Sequence, residues 1–232
     1  MTTGDEAKAR ELLANAKALL LDFDGPICSV FAGLPAPAVA EQLRVVLADG
    51  GHTDLPESVA TTGDPFDVFR YAATLGDDEA RYVEAAFTAL EVEAIATAEP
   101  TPGAHDLIHA WHETDRPLAI VSNNSVTAIR SYMALYDVES IIELVAARSD
   151  HRVELLKPNP YLVQQALTFL SESPGQTIML GDSRTDVEAA RAAGAVPVGY
   201  TNKSAKERCL TQAGSAANTS SIASLLTCLP NH

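Results

Sequence analysis

The sequence predicts an α/β fold, a parallel sheet covered by helices on both faces and interrupted near its start by an all-helical insert. Three observations carry this. Short apolar runs at 118–121, 142–146, 177–180 and 196–199 alternate with helical stretches near 104–113, 125–135, 159–170 and 184–193. Such alternation implies parallel strands joined by right-handed crossovers. An earlier apolar run, 18–21, stops abruptly at Asp22, as a buried strand does. From Pro37 to Ala98 the period becomes helical: Val39, Leu43, Val46 and Leu47, then Phe66, Phe69 and Ala73, then Tyr82, Ala85, Ala86, Phe87 and Leu90.

Taken in order, residues 5–17 read as a helix whose first turn holds Asp5 and Glu6, where the helix dipole favours acids. The strand 18–21 follows. Gly50-Gly51, Gly63 and Gly76 then divide the insert into three or four helices. After Pro100 and Pro102 the strand and helix alternation resumes. A sheet of this kind binds ligands outside the carboxyl ends of its strands, so what ends each strand matters. The first ends in Asp22-Phe23-Asp24-Gly25, the second in Ser122-Asn123-Asn124 and the fourth in Gly181-Asp182-Ser183. The stretch after the third carries Lys157-Pro158-Asn159-Pro160 just before a helix.

Composition narrows the function classes. With 232 residues and 47% apolar content the chain can bury one large or two modest cores. A net charge of -15 repels a polyphosphate backbone, which argues against nucleic-acid binding. No apolar run reaches the roughly 18 residues of a membrane span. The polar start MTTGDEAKAR is unlike a signal peptide. Cys28, Cys209 and Cys228 lie far apart and form no CxxC, which fits a reduced cytoplasmic protein. Residues 26–100 hold thirteen acidic side chains against Arg44, Arg70 and Arg81, a net of -10 with no lysine, and read as solvated helix faces.

The four strand-end stations resemble those of the haloacid dehalogenase superfamily, in its phosphoglycolate-phosphatase-like branch with a helical cap. DFDG at 22–25, Ser122 after a strand, Lys157 before a helix and GDSRTD at 181–186 match its four motifs in order. The resemblance implies a Rossmann-like core domain over 1–27 and 101–232, with a helical cap domain over 28–100. It also implies a magnesium-dependent phosphatase acting on a small phosphorylated metabolite, as a monomer or homodimer. Asp22 is then the nucleophile and Asp24 the general acid/base. Asp22, Asp182 and the backbone carbonyl of Asp24 would hold Mg2+.

The residue types suit that chemistry. A carboxylate can attack phosphorus and divide a hard hydrolysis into two easier displacements. A second carboxylate can protonate the leaving oxygen and later take a proton from water. Lys157 and a hard cation would neutralise the repulsion between anions. Asp186, one helical turn past Asp182, can hold a metal-bound water or orient Lys157. Ser122 and the amide of Asn123 can donate to phosphate oxygens. Taken singly, Asp182 reads as an N-cap for the helix at 184, Ser122 as one for the helix at 125, and Lys157 as a surface lysine. Asp22 and Asp24 resist such a reading, because two carboxylates closing a buried strand require a cationic partner.

One departure from the family pattern is Pro26, where Thr or Val is usual, since proline removes an amide hydrogen from the loop. Among relatives, dehalogenating members lack the second aspartate, and phosphonate-cleaving members need a cap lysine that residues 26–100 do not contain. Sugar-phosphate mutases stay open; a phosphoryl-accepting signalling module without turnover is a further alternative, against which the helical insert and the late GDSRTD argue. Substrate choice is expected in the cap and its hinges near 26–36 and 97–103. Arg70 reads as a surface partner of Asp67. His105, His109 and His112 read as a solvated helix face, and Cys28 as a small packed thiol.

Overall fold

In a computed structural model, residues 3–202 and 204–229 are described. Helix α1 (Thr3–Asn15) leads into β1 (Ala18–Leu21) and a short strand β2 (Cys28–Ser29). Four helices follow, α2 (Ala36–Asp49), α3 (Glu57–Ala60), α4 (Pro65–Leu75) and α5 (Asp77–Ile95), and then β3 (Glu99–Pro100). The chain continues through α6 (Ala104–His112), β4 (Leu118–Ser125), α7 (Val126–Leu135), β5 (Leu144–Arg148), α8 (Tyr161–Leu170), β6 (Thr177–Gly181) and α9 (Arg184–Ala193). It closes with β7 (Val196–Tyr200), α10 (Ser204–Ala213), β8 (Ala217–Thr219) and α11 (Ile222–Leu226).

Six strands form one sheet in the order β5-β4-β1-β6-β7-β8, and every adjacent pair is parallel. Alternate residues of the central strands serve opposite faces. Leu19, Leu21, Leu118, Ile120, Ile178 and Leu180 pack with Leu13, Leu107, Ile108, Trp111, Ile129 and Tyr132. Leu20, Ala119, Val121 and Met179 pack the other way, onto Leu162, Val163, Ala166, Ala189 and Ala190. Both faces are therefore dry, which explains why these strands read as continuous apolar runs. The crossover from β1 goes to β4 on one side, and β6 returns on the other, so β1 marks the topological switch point.

The four helices between β2 and β3 have an apolar core of their own. Val39, Leu43, Leu47, Val68, Phe69, Val83 and Phe87 are buried together, and Leu156 joins them from beyond β5. Phe66 and Phe87 meet edge to face at 5.0 Å. Asp64 caps α4 by accepting from the Phe66 amide at 2.9 Å, with Pro65 opening the helix. The end of α5 departs from this core, because Ala94 and Ile95 are buried in the main one. The two chain crossings pair as an antiparallel ribbon, Cys28 with Pro100 and Ser29 with Glu99.

Several expectations are corrected. The third strand lies at Leu144–Arg148, two residues beyond the 142–146 run. Residues past 200 add β8, which the sequence reading did not anticipate. His105 is not on a solvated face: it is half-buried, its Nε2 shares a hydrogen bond of 2.9 Å with the Tyr132 hydroxyl, and its ring tilts against Tyr136 at 4.8 Å. Glu91 is fully buried, against the reading of the insert's acids as solvated. Among the described residues, no helix is long and apolar enough to cross a membrane. Leu20→Ala, which empties a fully buried position on the α8–α9 face, is expected to lower unfolding free energy by about 2–5 kcal/mol, measured by urea titration.

Candidate active site

The carboxyl ends of β1, β4 and β6 open into a cavity of about 360 Å³. Asp22, Asp24, Ser122, Asn123, Lys157, Asp182 and Asp186 all line it, joined by Asp64, Phe66 and Arg70 from the start of α4. All seven residues singled out in the sequence therefore face one space. A larger groove of about 620 Å³ between β5 and α8 is lined by no carboxylate, imidazole, thiol or cationic side chain.

Lys157 is the hub. Its Nζ donates to Asp22 Oδ1 at 2.8 Å and to the Val121 carbonyl at 2.9 Å, and pairs with Asp186 Oδ1 at 2.6 Å. Two of its donors are engaged in hydrogen bonds, and the third lies as an ion pair beside the Asp186 carboxylate, whose Oδ1 is buried without a hydrogen-bond partner among the described residues. The backbone of Lys157 is held by Asn123 in a reciprocal pair. The Lys157 amide donates to Asn123 Oδ1 at 2.8 Å, and Asn123 Nδ2 donates to the Lys157 carbonyl at 3.1 Å. Sequence reading gave Asn123 only a backbone role; its side chain fixes the lysine.

Asp22 follows β1 directly, its amide donating to the Leu180 carbonyl at 2.9 Å. Its Oδ1 also accepts from the Phe23 amide at 2.8 Å. The loop then turns at Gly25, whose φ of +110° suits glycine, and any Cβ there would overlap the Asp182 carboxylate. Pro26 leaves the turn closed, since the flanking amides of Gly25 and Ile27 donate to the Cys28 and Phe23 carbonyls at 2.7 and 3.2 Å. Asp24 Oδ1 accepts from the Val30 amide at 3.0 Å. Cys28 is buried, and burial pushes its thiol well above the usual range.

The N-cap alternatives, which apply to Asp182 and Ser122 taken singly, do not hold. Ser183 caps α9, accepting from the Asp186 amide at 3.2 Å while Asp186 Oδ2 accepts from the Ser183 amide at 3.0 Å. Ser125 caps α7, accepting from the Ala128 amide at 3.2 Å. Asp182 and Ser122 are left to the cavity. Asp182 instead meets Lys206 of α10, a cation the sequence reading missed because it lies 24 residues on, in a helix with no motif. Arg70 makes the expected pair with Asp67 at 3.1 Å yet also lines the cavity.

Burial dominates the electrostatics. It pushes the Asp22 carboxyl up to about 8, with the Asp186 charge adding to the rise, Lys157 opposing it and Asp182 contributing further. Burial likewise raises Asp24 to about 6, against the pull of the Val30 amide. Asp182 is raised by burial despite Lys206. Burial opposes the Lys157 cation, but Asp186 and Asp22 together hold its pKa above the ordinary lysine value. Oxygens of Asp22, Asp182 and Asp186 lie within 4.8 Å of one another. An all-oxygen, carboxylate-rich set of this kind fits a hard divalent cation and suits no soft metal.

A family model for haloacid dehalogenase-like hydrolases matches residues 16–194. The chain belongs to that family. Pyrophosphatase PpaX of Halalkalibacterium halodurans is 30% identical over 104 residues, 44% of this chain and 47% of that protein. Phosphoglycolate phosphatase of Salmonella paratyphi A is 30% identical over 100 residues, 43% of this chain and 39% of that protein. The matched stretch thus spans less than half the length of these curated relatives. Among solved structures, CbbY from Rhodobacter sphaeroides in complex with phosphate superposes with a TM-score of 0.65 at 21% identity, over 92% of this chain and 99% of that one. A hydrolase from Pseudomonas syringae gives 0.68 at 17%, over 90% and 96%. These structures share the α/β fold of the haloacid dehalogenase-like family.

The carboxyls predict a pH effect on stability. Folded Asp22 titrates near 8 and an ordinary aspartate near 3.8, so between these values the folded chain binds the extra proton and this group's contribution falls as pH rises. In chelator, the melting temperature of Asp22→Asn is expected to gain on that of the unaltered chain from about pH 5 to pH 8. A constant difference across that range in a thermal melt would refute the raised Asp22 pKa.

Proposed function

We propose that the chain is a magnesium-dependent phosphatase that hydrolyses a small phosphate monoester through an aspartyl-phosphate, with residues 28–100 as a cap over a core of 1–27 and 101–232. The observation that carries this reading is the convergence of Asp22, Asp24, Ser122, Lys157, Asp182 and Asp186 on one 360 Å³ cavity at the switch point of the sheet. Family membership supports it, and the activities for which the relatives are named, a pyrophosphatase and a phosphoglycolate phosphatase, support a small phosphorylated substrate. Three free cysteines support a reducing, cytoplasmic setting.

Asp22 Oδ1 already accepts from Lys157 and the Phe23 amide, so Oδ2 is the attacking oxygen. As its bond to phosphorus forms, the ester P–O bond breaks, and protonated Asp24 gives its proton to the leaving oxygen. A pKa near 6 lets Asp24 serve as donor here and as base in the next step. Asp24 then takes a proton from water, the water oxygen bonds to phosphorus, and the bond to Asp22 breaks to release phosphate. Ser122 and the Asn123 amide hold the non-bridging oxygens. Asp22, Asp182 and the Asp24 carbonyl would hold Mg2+, with Asp186 steadying the lysine beside it. When bound, the ion supplies positive charge that offsets the repulsion between the ester and these carboxylates.

Purified protein is expected to release phosphate from p-nitrophenyl phosphate with magnesium and not with chelator; no release under either condition would refute the reading. Asp22→Asn should abolish turnover, and Asp24→Asn should slow it by about 10²–10⁴, read in steady-state kinetics. Lys206 opposes cation binding at Asp182, so Lys206→Gln is expected to enlarge the rise in melting temperature that magnesium produces. A panel of small phosphate esters, assayed with magnesium, identifies the substrate.

A further inference from the structure

A buried ion-pair network lies behind the cavity, between α5 and the end of β4, and none of its charged members touches the catalytic carboxylates. β4 and β5 pair Ser122 with Ala147 and then Ser125 with Arg148, so Asn123 and Asn124 stand out of the ladder as a bulge. A bulge leaves backbone groups without ladder partners, and buried ones must find others. Arg148 Nε donates to the Asn123 carbonyl at 3.2 Å. Glu91, from α5, accepts from Asn124 Nδ2 at 3.0 Å and from the Ser125 amide at 2.9 Å. Arg148 and Glu91, both with fully buried side chains, pair with each other, and Arg148 also pairs with Glu84. Its guanidinium donates to Thr88 Oγ1 at 3.1 Å and lies 4.6 Å from the Phe87 ring centre. The bulge is also held from the cavity side, by the Lys157 backbone on the Asn123 side chain and by Ser122 Oγ accepting from the Asn124 amide at 3.3 Å, but the Asn123 carbonyl, the Asn124 side-chain amide and the Ser125 amide are all held by this network.

We propose that Glu91 and Arg148 are positioning residues that hold the 122–125 bulge in the shape that binds phosphate, so that a helix of the insert sets the geometry of the anion site. This rests on the phosphatase reading above, in which Ser122 and the Asn123 amide take the phosphate oxygens. The network could instead be only a structural tie between helix and sheet, and the two roles separate under substitution. Removing one partner strands a buried charge and destabilises the fold, whereas replacing both by apolar residues can restore stability. The double substitution Glu91→Leu with Arg148→Met therefore removes the tether while restoring much of the stability lost in Glu91→Leu alone.

The test is binding of inorganic phosphate, measured by calorimetry in magnesium, beside thermal melts. The Glu91→Leu, Arg148→Met pair is expected to melt above the Glu91→Leu variant yet bind phosphate about tenfold more weakly than the unaltered chain, the equivalent of one charge-assisted hydrogen bond. Leu43→Ala, which destabilises the insert core away from the bulge, is expected to keep phosphate affinity unchanged. Unchanged phosphate affinity in the double variant, or an equal loss in Leu43→Ala, overturns the positioning role. Failure of the unaltered chain to bind phosphate overturns the phosphatase reading itself.

Discussion

Four carboxylates converge at one edge of a dry sheet, and most of the local structure follows from that constraint. β1 and β6 are parallel neighbours with Leu21 opposite Leu180, so Asp22 and Asp182, just beyond, emerge side by side. Adjacent strands lie only about 4.8 Å apart, which makes like-charge proximity a property of the fold. Asp24 and Asp186 add two more acids, and among the described residues Lys157 and Lys206 are the cations paired with this group. With all six ionised the cluster carries -2, in surroundings where burial penalises charge. The folded chain holds such a site because the two apolar faces of the sheet supply stability elsewhere. A divalent cation is the ligand whose charge balances that remainder.

The supporting parts are arranged to keep the acids close rather than to relax them. Gly25 and Gly181 have no Cβ, and one at either position would overlap the carboxylate of Asp182 or Asp186. Asp186 is fixed twice, by the capping box with Ser183 and by Lys157, so its carboxylate cannot turn away. Lys157 in turn is fixed at its backbone by Asn123 and at its tip by Val121. Lys157 reaches its partners from the turn ahead of α8, and most of these partners lie at a strand end or in the first turn of a helix. Those are the places where a parallel sheet leaves backbone groups free to serve a ligand.

The parts that were legible in the sequence are those with a local signature. Asp22, Asp24, Ser122 and Asp182 announce themselves because each interrupts or ends an apolar run, and a strand end is a local event. The helix caps lie one residue past Asp182 and three past Ser122, at Ser183 and Ser125, since several side chains there offer an acceptor oxygen and only geometry chooses between them. Glu91 left a trace. It lies four residues after Phe87 and three before Ala94, on the buried stripe of α5, where a solvated glutamate does not belong. Its partner Arg148 lies 57 residues away, and nothing periodic links them. β8 was hidden because Ala217-Asn218-Thr219 is too short and too polar to read as a strand.

The acidity of the insert takes on a different meaning once its charges are placed. Glu84 and Glu91 share Arg148, so the three side chains together leave a charge of only -1. Arg44 is occupied with Glu41 and with the Val59 and Thr62 carbonyls, which leaves Arg70 as the insert cation on the cavity. At physiological salt, exposed charges are screened beyond about 8 Å, whereas groups inside the cavity act at contact distance. An anion therefore feels the acidic exterior weakly and the cavity strongly. Its capture depends on the balance between the strand-end carboxylates and the cations set against them, not on the net charge of the chain.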